Sequence, residues 1–218
     1  MVLIVALVLS SAAMILRPFQ ERNMRIEKMQ NILASINIKA SKAEAEQKFN
    51  QYIVQSLVLN VKGDEVYGDA FEVDLQDENR KLMEERQLPL FVADVNGNTF
   101  YIVPLRGNGL WGAIWGYLSL GPDLATIVGA NFDHASETPG LGAEIADKEF
   151  EEQFAGKRIF DEAGNFSPVR VLKGGAPAGD LYGVDGITGG TITSNGVTNM
   201  LRNGLEGYVS YFNKLKTL

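Results

Sequence analysis

The sequence predicts an α+β fold, with an N-terminal membrane helix followed by a mixed α/β soluble domain. Three patterns point to it. Met1 to Leu16 is almost wholly apolar, Asn96-Gly97 stands between two alternating apolar runs, and the C-terminal segment carries apolar side chains at helical spacing.

The N-terminal run is softened only by Ser10 and Ser11 and ends at Arg17-Pro18. At 1.5 Å per residue it reaches about 24 Å, short of a hydrocarbon core of about 30 Å. The expectation is therefore a transmembrane anchor over residues 1–17, clipped at its front. A cleaved signal peptide would show a basic leading region, and none precedes the run. Arg17, Arg22, Arg25 and Lys28 follow it, and by the positive-inside rule alone they would put the body in the cytoplasm. No charged or amide side chain interrupts the run, so an ion path through it is not expected.

A helical connector over 18–56 comes next. Met24, Ile26, Met29, Ile32, Leu33 and Ile36 sit among charges in a continuation of the first helix, and Lys42–Val54 reads as a second. The rest of the chain, 57–218, reads as one compact domain. Strands are expected at about 57–62 and 70–75, then at Leu88–Val95 and Thr99–Leu105 around the Asn-Gly hairpin signal, and near 115–120 and 125–132. A short helix is expected at Lys148–Phe154. Val197, Leu201, Leu205, Tyr208, Val209, Phe212 and Leu215 predict a long final helix, with Thr193 or Ser194 as its cap.

Composition narrows the function classes. With 45% hydrophobic and 22% charged residues over 218 positions, the chain can bury a real core. A net charge of -7 without any local run of Lys or Arg offers no basic face to nucleic acid. The absence of cysteine excludes disulfides, iron–sulfur clusters and thiolate metal sites, and the single histidine, His134, excludes histidine-rich ones. No metal site is expected. His134 has no nucleophile elbow to serve and reads as a surface or hydrogen-bonded structural residue.

The candidate chemistry lies in three segments. Asp185-Gly-Ile-Thr-Gly-Gly-Thr191-Ile-Thr-Ser194 sets hydroxyls among glycines just before the final helix, where free backbone amides and the helix dipole favour a phosphate. Thr188, Thr191, Thr193 and Ser194 are competing acceptors on chemistry alone. Glu137-Thr-Pro-Gly-Leu-Gly142 forms a turn whose amides, Thr138 hydroxyl and Leu141 side chain suit the edge of a heterocycle. Gly107-Asn-Gly109-Leu-Trp-Gly112 matches G-x-G-x-x-G, with Asp133 downstream, but the segment after it lacks a polar helical face, so strands and not a dinucleotide fold are expected. Trp111 and Trp115 there suit either a flat wall for a planar ring or core packing.

These segments, in this order, resemble the NqrC family, which belongs to the sodium-translocating NADH:quinone oxidoreductases. Arg17-Pro18 after the anchor and Gln30-Asn-Ile-Leu33 extend the likeness nearly end to end. The resemblance implies FMN joined through its phosphate to Thr191, in a motif close to D-x-x-[ST]-G-A-T that Asp185, Thr188 and Gly189 match, while Gly190 stands where alanine is more usual. It further implies a flavin bounded by Leu110, Trp111, Glu137, Thr138 and Leu141, with Thr188, Gly189, Gly190 and Ile192 toward the phosphate. The chain would be an electron carrier without catalytic acid or base, working among the other subunits of a membrane complex. A separate flavin transferase would load it, the bilayer would hold its N-terminal helix, and its domain would lie on the periplasmic face of a bacterial inner membrane. Two alternatives are the related flavin subunit of the Rnf ferredoxin-oxidising complex and a membrane-tethered assembly subunit without flavin.

Overall fold

The computed structural model describes residues 2–217. Its first element, α1, runs from Val2 to Ser35 as one helix that takes Pro18 into its interior. The apolar start of α1 is exposed, and from Met29 onward its side chains turn into the protein: Ile32 and Leu33 are fully buried. Next come α2 (Ala45–Tyr52), β1 (Ile53–Leu59), β2 (Glu65–Val66) and a single turn of helix, α3 (Leu75–Glu78). The helix expected over Lys42–Val54 is thus shorter at both ends. Ile53 and Val54 belong to β1, which pairs with β3 (Leu88–Val95) from Ile53 to Leu59, because β-branched side chains fit a pleated sheet better than a helix.

No strand forms at 70–75. Asp69 Oδ1 instead accepts the Phe71 amide at 2.9 Å, and Asp74 Oδ1 accepts that of Gln76 at 2.7 Å and caps α3. Short aspartates compete with ladder bonding in this way.

The hairpin signal is met. Asn96 and Gly97, with φ of 55° and 81°, connect β3 to β4 (Asn98–Asn108). β5 (Ala113–Leu120) and β6 (Ile127–His134) complete an antiparallel sheet of order β2-β1-β3-β4-β5-β6. The sheet is covered on both faces, which explains why β3 reads as an unbroken apolar run. Leu88, Leu90, Val103, Leu105, Ile114 and Leu118 point to one core; Phe91, Ala93, Ile102 and Tyr117 point to a second beneath α1 and α2.

The first core is closed by α4 (Lys148–Glu152), by two short parallel strands, β7 (Arg170–Leu172) and β8 (Gly183–Asp185), and by α5 (Thr191–Glu206) with α6 (Val209–Lys216). β2, β7 and β8 have two or three residues each and leave no periodic signal. The predicted final helix is two helices, broken at Gly207-Tyr208. There the Tyr208 hydroxyl donates to the Pro89 carbonyl at 2.7 Å inside the core, and Gly207 lies against Leu88.

Candidate functional site

A cleft of about 410 Å³ opens where three connections meet. The first is the β4–β5 turn, Gly109 to Gly112, closed by the Gly109 amide donating to the Gly112 carbonyl at 2.8 Å. Gly107 to Gly112 is therefore strand and hairpin, not a dinucleotide loop. The second is the Thr138–Leu141 turn, in which the Leu141 amide donates to the Thr138 carbonyl at 3.1 Å and Gly140 takes a φ of 75°. Pro at its second position and Gly at its third meet the dihedral demands of such a turn. The third is the Ile187–Gly190 approach to α5, with Gly189 at a φ of 75° close against Leu141.

Leu110, Trp111, Glu137, Thr138, Leu141, Gly189, Gly190, Thr191 and Ile192 all line this cleft, although they come from three segments far apart in sequence. Thr188 is exposed but outside the lining. Trp115 is on the other side of the sheet, lining a separate hollow with Tyr117 and Arg106, so the two tryptophans do not form one wall. Strand alternation decides this: Ile114 faces the first core, and its neighbour must face away.

Apolar groups dominate the rim. Leu110 is 47% exposed, Trp111 66%, Leu141 40% and Ile192 56%. Four large apolar side chains left in water around one concavity mark a surface that a ligand or partner covers.

At the floor, Glu137 is only 4% exposed. Its Oε1 accepts the Trp111 amide at 2.8 Å and its Oε2 accepts the Thr193 hydroxyl at 2.6 Å. Burial pushes this carboxyl up, but the Thr193 hydroxyl and the Trp111 and Gly112 amides outweigh burial. With His134 nearby, they hold it below the usual carboxylate range. His134 Nδ1 accepts the Glu137 amide at 3.2 Å. Gly109 and Gly142 leave the room, since a Cβ at either would collide with the carboxylate.

The start of α5 differs from expectation. The helix begins at Thr191, ahead of the caps expected at Thr193 or Ser194, and its N-cap is Gly190 without a side-chain bond. Thr193 is committed to Glu137, and Ser194 Oγ accepts the Ile187 amide at 3.2 Å. The first amides of α5 are left uncapped beside the cleft, a ready anion site. Asp185 acts one step back. Its Oδ1 accepts the Ala176 amide at 2.7 Å, and its own amide donates to Gln153 Oε1 at 2.7 Å, which ties down the approach to the loop. Gly142 and Thr193, both within the candidate segments, also line the cleft; the bond from Thr193 to Glu137 crosses 56 positions and leaves no local signal.

Residues 109–206, which contain every residue of the cleft, match the FMN-binding domain family. The chain is 33% identical to the NqrC protein of the Na(+)-translocating NADH-quinone reductase of Vibrio vulnificus, over 89% of this chain and 83% of that protein. It is 31% identical to the corresponding protein of Haemophilus ducreyi, over 98% and 90%. The crystal structure of the Parabacteroides distasonis counterpart superposes with a TM-score of 0.84 at 48% identity, covering 90% of this chain and 96% of that one. Shewanella oneidensis NqrC gives 0.76 at 28%, covering 90% and 100%. Fold, cleft and sequence agree along nearly the whole length, and the chain belongs to the NqrC family of Na(+)-translocating NADH-quinone reductase subunits.

Proposed function

We propose that this chain is the flavin-carrying subunit of such a reductase, with FMN held in the cleft and joined through its phosphate to the Thr191 hydroxyl. One observation carries the reading. Of the four neighbouring hydroxyls, only that of Thr191 lines the cleft and is free of bonds within the described residues; Thr193 and Ser194 are buried and committed, and Thr188 lies outside.

The residues present fit the group. Thr191 is the first helical residue of α5, so a phosphate on its Oγ1 would meet the uncapped amides and the positive end of the helix. Gly189 and Gly190 keep side chains away from that approach. Leu110, Trp111, Leu141 and Ile192 provide apolar surface for a ring system, and Thr138 provides a hydroxyl at its edge. When bound, FMN supplies the electron chemistry, and the chain supplies position, dielectric and hydrogen bonds.

The exposed apolar half of α1 is the membrane anchor in this reading, and the domain faces the periplasm beside the other subunits. A dedicated flavin transferase, reaching Thr191 through the open cleft, would transfer FMN from FAD to the Thr191 hydroxyl: the new phosphoester replaces the pyrophosphate bond of FAD, AMP leaves, and the hydroxyl proton is lost to solvent or to the transferase. The test is a denaturing gel of the chain coexpressed with such a transferase. A fluorescent band is expected for the wild type and none for Thr191→Ala. A band that persists in Thr191→Ala, or one lost only with Thr188→Ala, would refute the attachment site.

A further inference from the structure

We propose that Glu137 is a positioning and potential-setting residue: a fixed negative charge that joins the three walls of the cleft and makes reduction of the electron carrier in it less favourable. This rests on the reading that FMN occupies the cleft.

Position comes first. The carboxylate bonds the β4–β5 turn through the Trp111 amide and α5 through the Thr193 hydroxyl, while its own backbone belongs to the segment leading into the Thr138 turn. Three connections distant in sequence therefore converge on one side chain. Ionised, the carboxylate has no proton to donate, so its action on a ligand is through its charge and through the walls it holds.

The charge is the second part. Glu137 is 4% exposed, and among the described residues it forms no ion pair with a lysine or arginine. Amides and a hydroxyl stabilise the ionised form without cancelling its net charge. The hydrogen-bonded carboxyl, held below its ordinary range, is ionised at neutral pH. A net negative charge on a side chain this buried is screened less than one at the surface. It opposes added electrons in the cleft. A neutral glutamine would serve a purely structural clamp, at a smaller desolvation cost.

The experiment is a redox titration of the loaded full-length chain, paired with thermal unfolding of the unloaded chain. Glu137→Gln keeps the shape of the side chain, and its carbonyl oxygen still accepts the Trp111 amide. The expected result is a tenfold rise in the reduced-to-oxidised ratio at a fixed ambient potential, which is about 30 mV for a two-electron couple. Glu137→Asp keeps the charge but shortens the clamp, so its unloaded chain melts lower and its ratio stays near that of the wild type. An unchanged ratio in loaded Glu137→Gln, or an equal rise in Glu137→Asp, overturns the proposal. If Glu137→Gln does not load, Thr193→Val carries the test. Loss of the hydroxyl dipole leaves the carboxylate less compensated, so the ratio falls, and a rise or no change overturns the proposal. Failure of the flavin reading itself looks different, since the wild-type chain would then give no fluorescent band.

Discussion

Four hydroxyl-bearing residues stand between Thr188 and Ser194, and backbone position alone separates their roles. One turn of α5 sends Thr193 and Ser194 inward to Glu137 and to the Ile187 amide, and leaves Thr191 at the cleft. Glu151 shows the same dependence on surroundings with the opposite sign to Glu137. Burial first, then the nearby Asp133 and Asp147, together push its carboxyl up to about 7, against hydrogen bonds from the Phe132 amide at 2.7 Å and Asn131 Nδ2 at 3.2 Å. Because its folded value lies above the ordinary 4.5, the folded state holds the proton more tightly. Stability from this group is complete below the unfolded value and is lost as pH rises through about 7. Urea midpoints of the wild type are expected to drop between about pH 5 and about pH 8, with Glu151→Gln removing most of that drop. An identical pH profile in the variant would show that Glu151 is not the group responsible.

At the scale of elements, α5 lies unusually close to β4 because glycines on each face the other's residues. A Cβ on Gly196 would run into the Asn108 carbonyl, one on Gly107 would meet Met200 Cβ at 2.8 Å, and one on Gly204 would meet Leu105 Cδ2 at 2.5 Å. This approach seats the start of α5 beside the Gly109–Gly112 turn. Gly196→Ala is expected to lose about 1–3 kcal/mol of unfolding free energy through overpacking, while Asn199→Ala, exposed on the same helix, changes it by no more than about 0.5 kcal/mol. Chemical denaturation of both variants checks this, and a Gly196→Ala chain as stable as the wild type would mean that α5 can step back without cost. The strands from Leu88 onward were legible because their apolar runs and the Asn96-Gly97 turn follow from local chemistry. The extent of α5 was not, because Gly190 caps it by backbone alone and the break at Gly207 depends on the reach of Tyr208 to Pro89.

Over the whole molecule, α1 serves two environments. Its first half exposes Val2, Ile4, Leu7 and Ile15, while Met29, Ile32 and Leu33, with Ile36 just past its end, complete the core beneath the sheet. α1 is long and apolar enough to cross a membrane. A chain beginning at Pro18 is therefore expected to be soluble without detergent and to melt within a few degrees of the full-length protein. A chain beginning at Asn37 strips four buried side chains, at about 2–5 kcal/mol each, and should not hold a cooperative fold whose total is about 5–15 kcal/mol. Circular dichroism melts and gel filtration of the two truncations distinguish these outcomes. If the shorter chain melts cooperatively, the sheet does not need α1.

Local chemistry was enough to specify the apolar first helix, the antiparallel hairpin around Asn96-Gly97, the α+β class and the three segments that carry polar and glycine chemistry. Each of these depends on neighbours within a few positions, through periodicity, turn dihedrals or composition. It took the packed fold to part Trp111 and Trp115 to opposite faces, to spend Thr193 on Glu137, and to leave Thr191 at the open start of α5. Those outcomes depend on which face of a strand and which side of a helical turn meets a partner distant in the chain, and a linear pattern holds no record of that meeting.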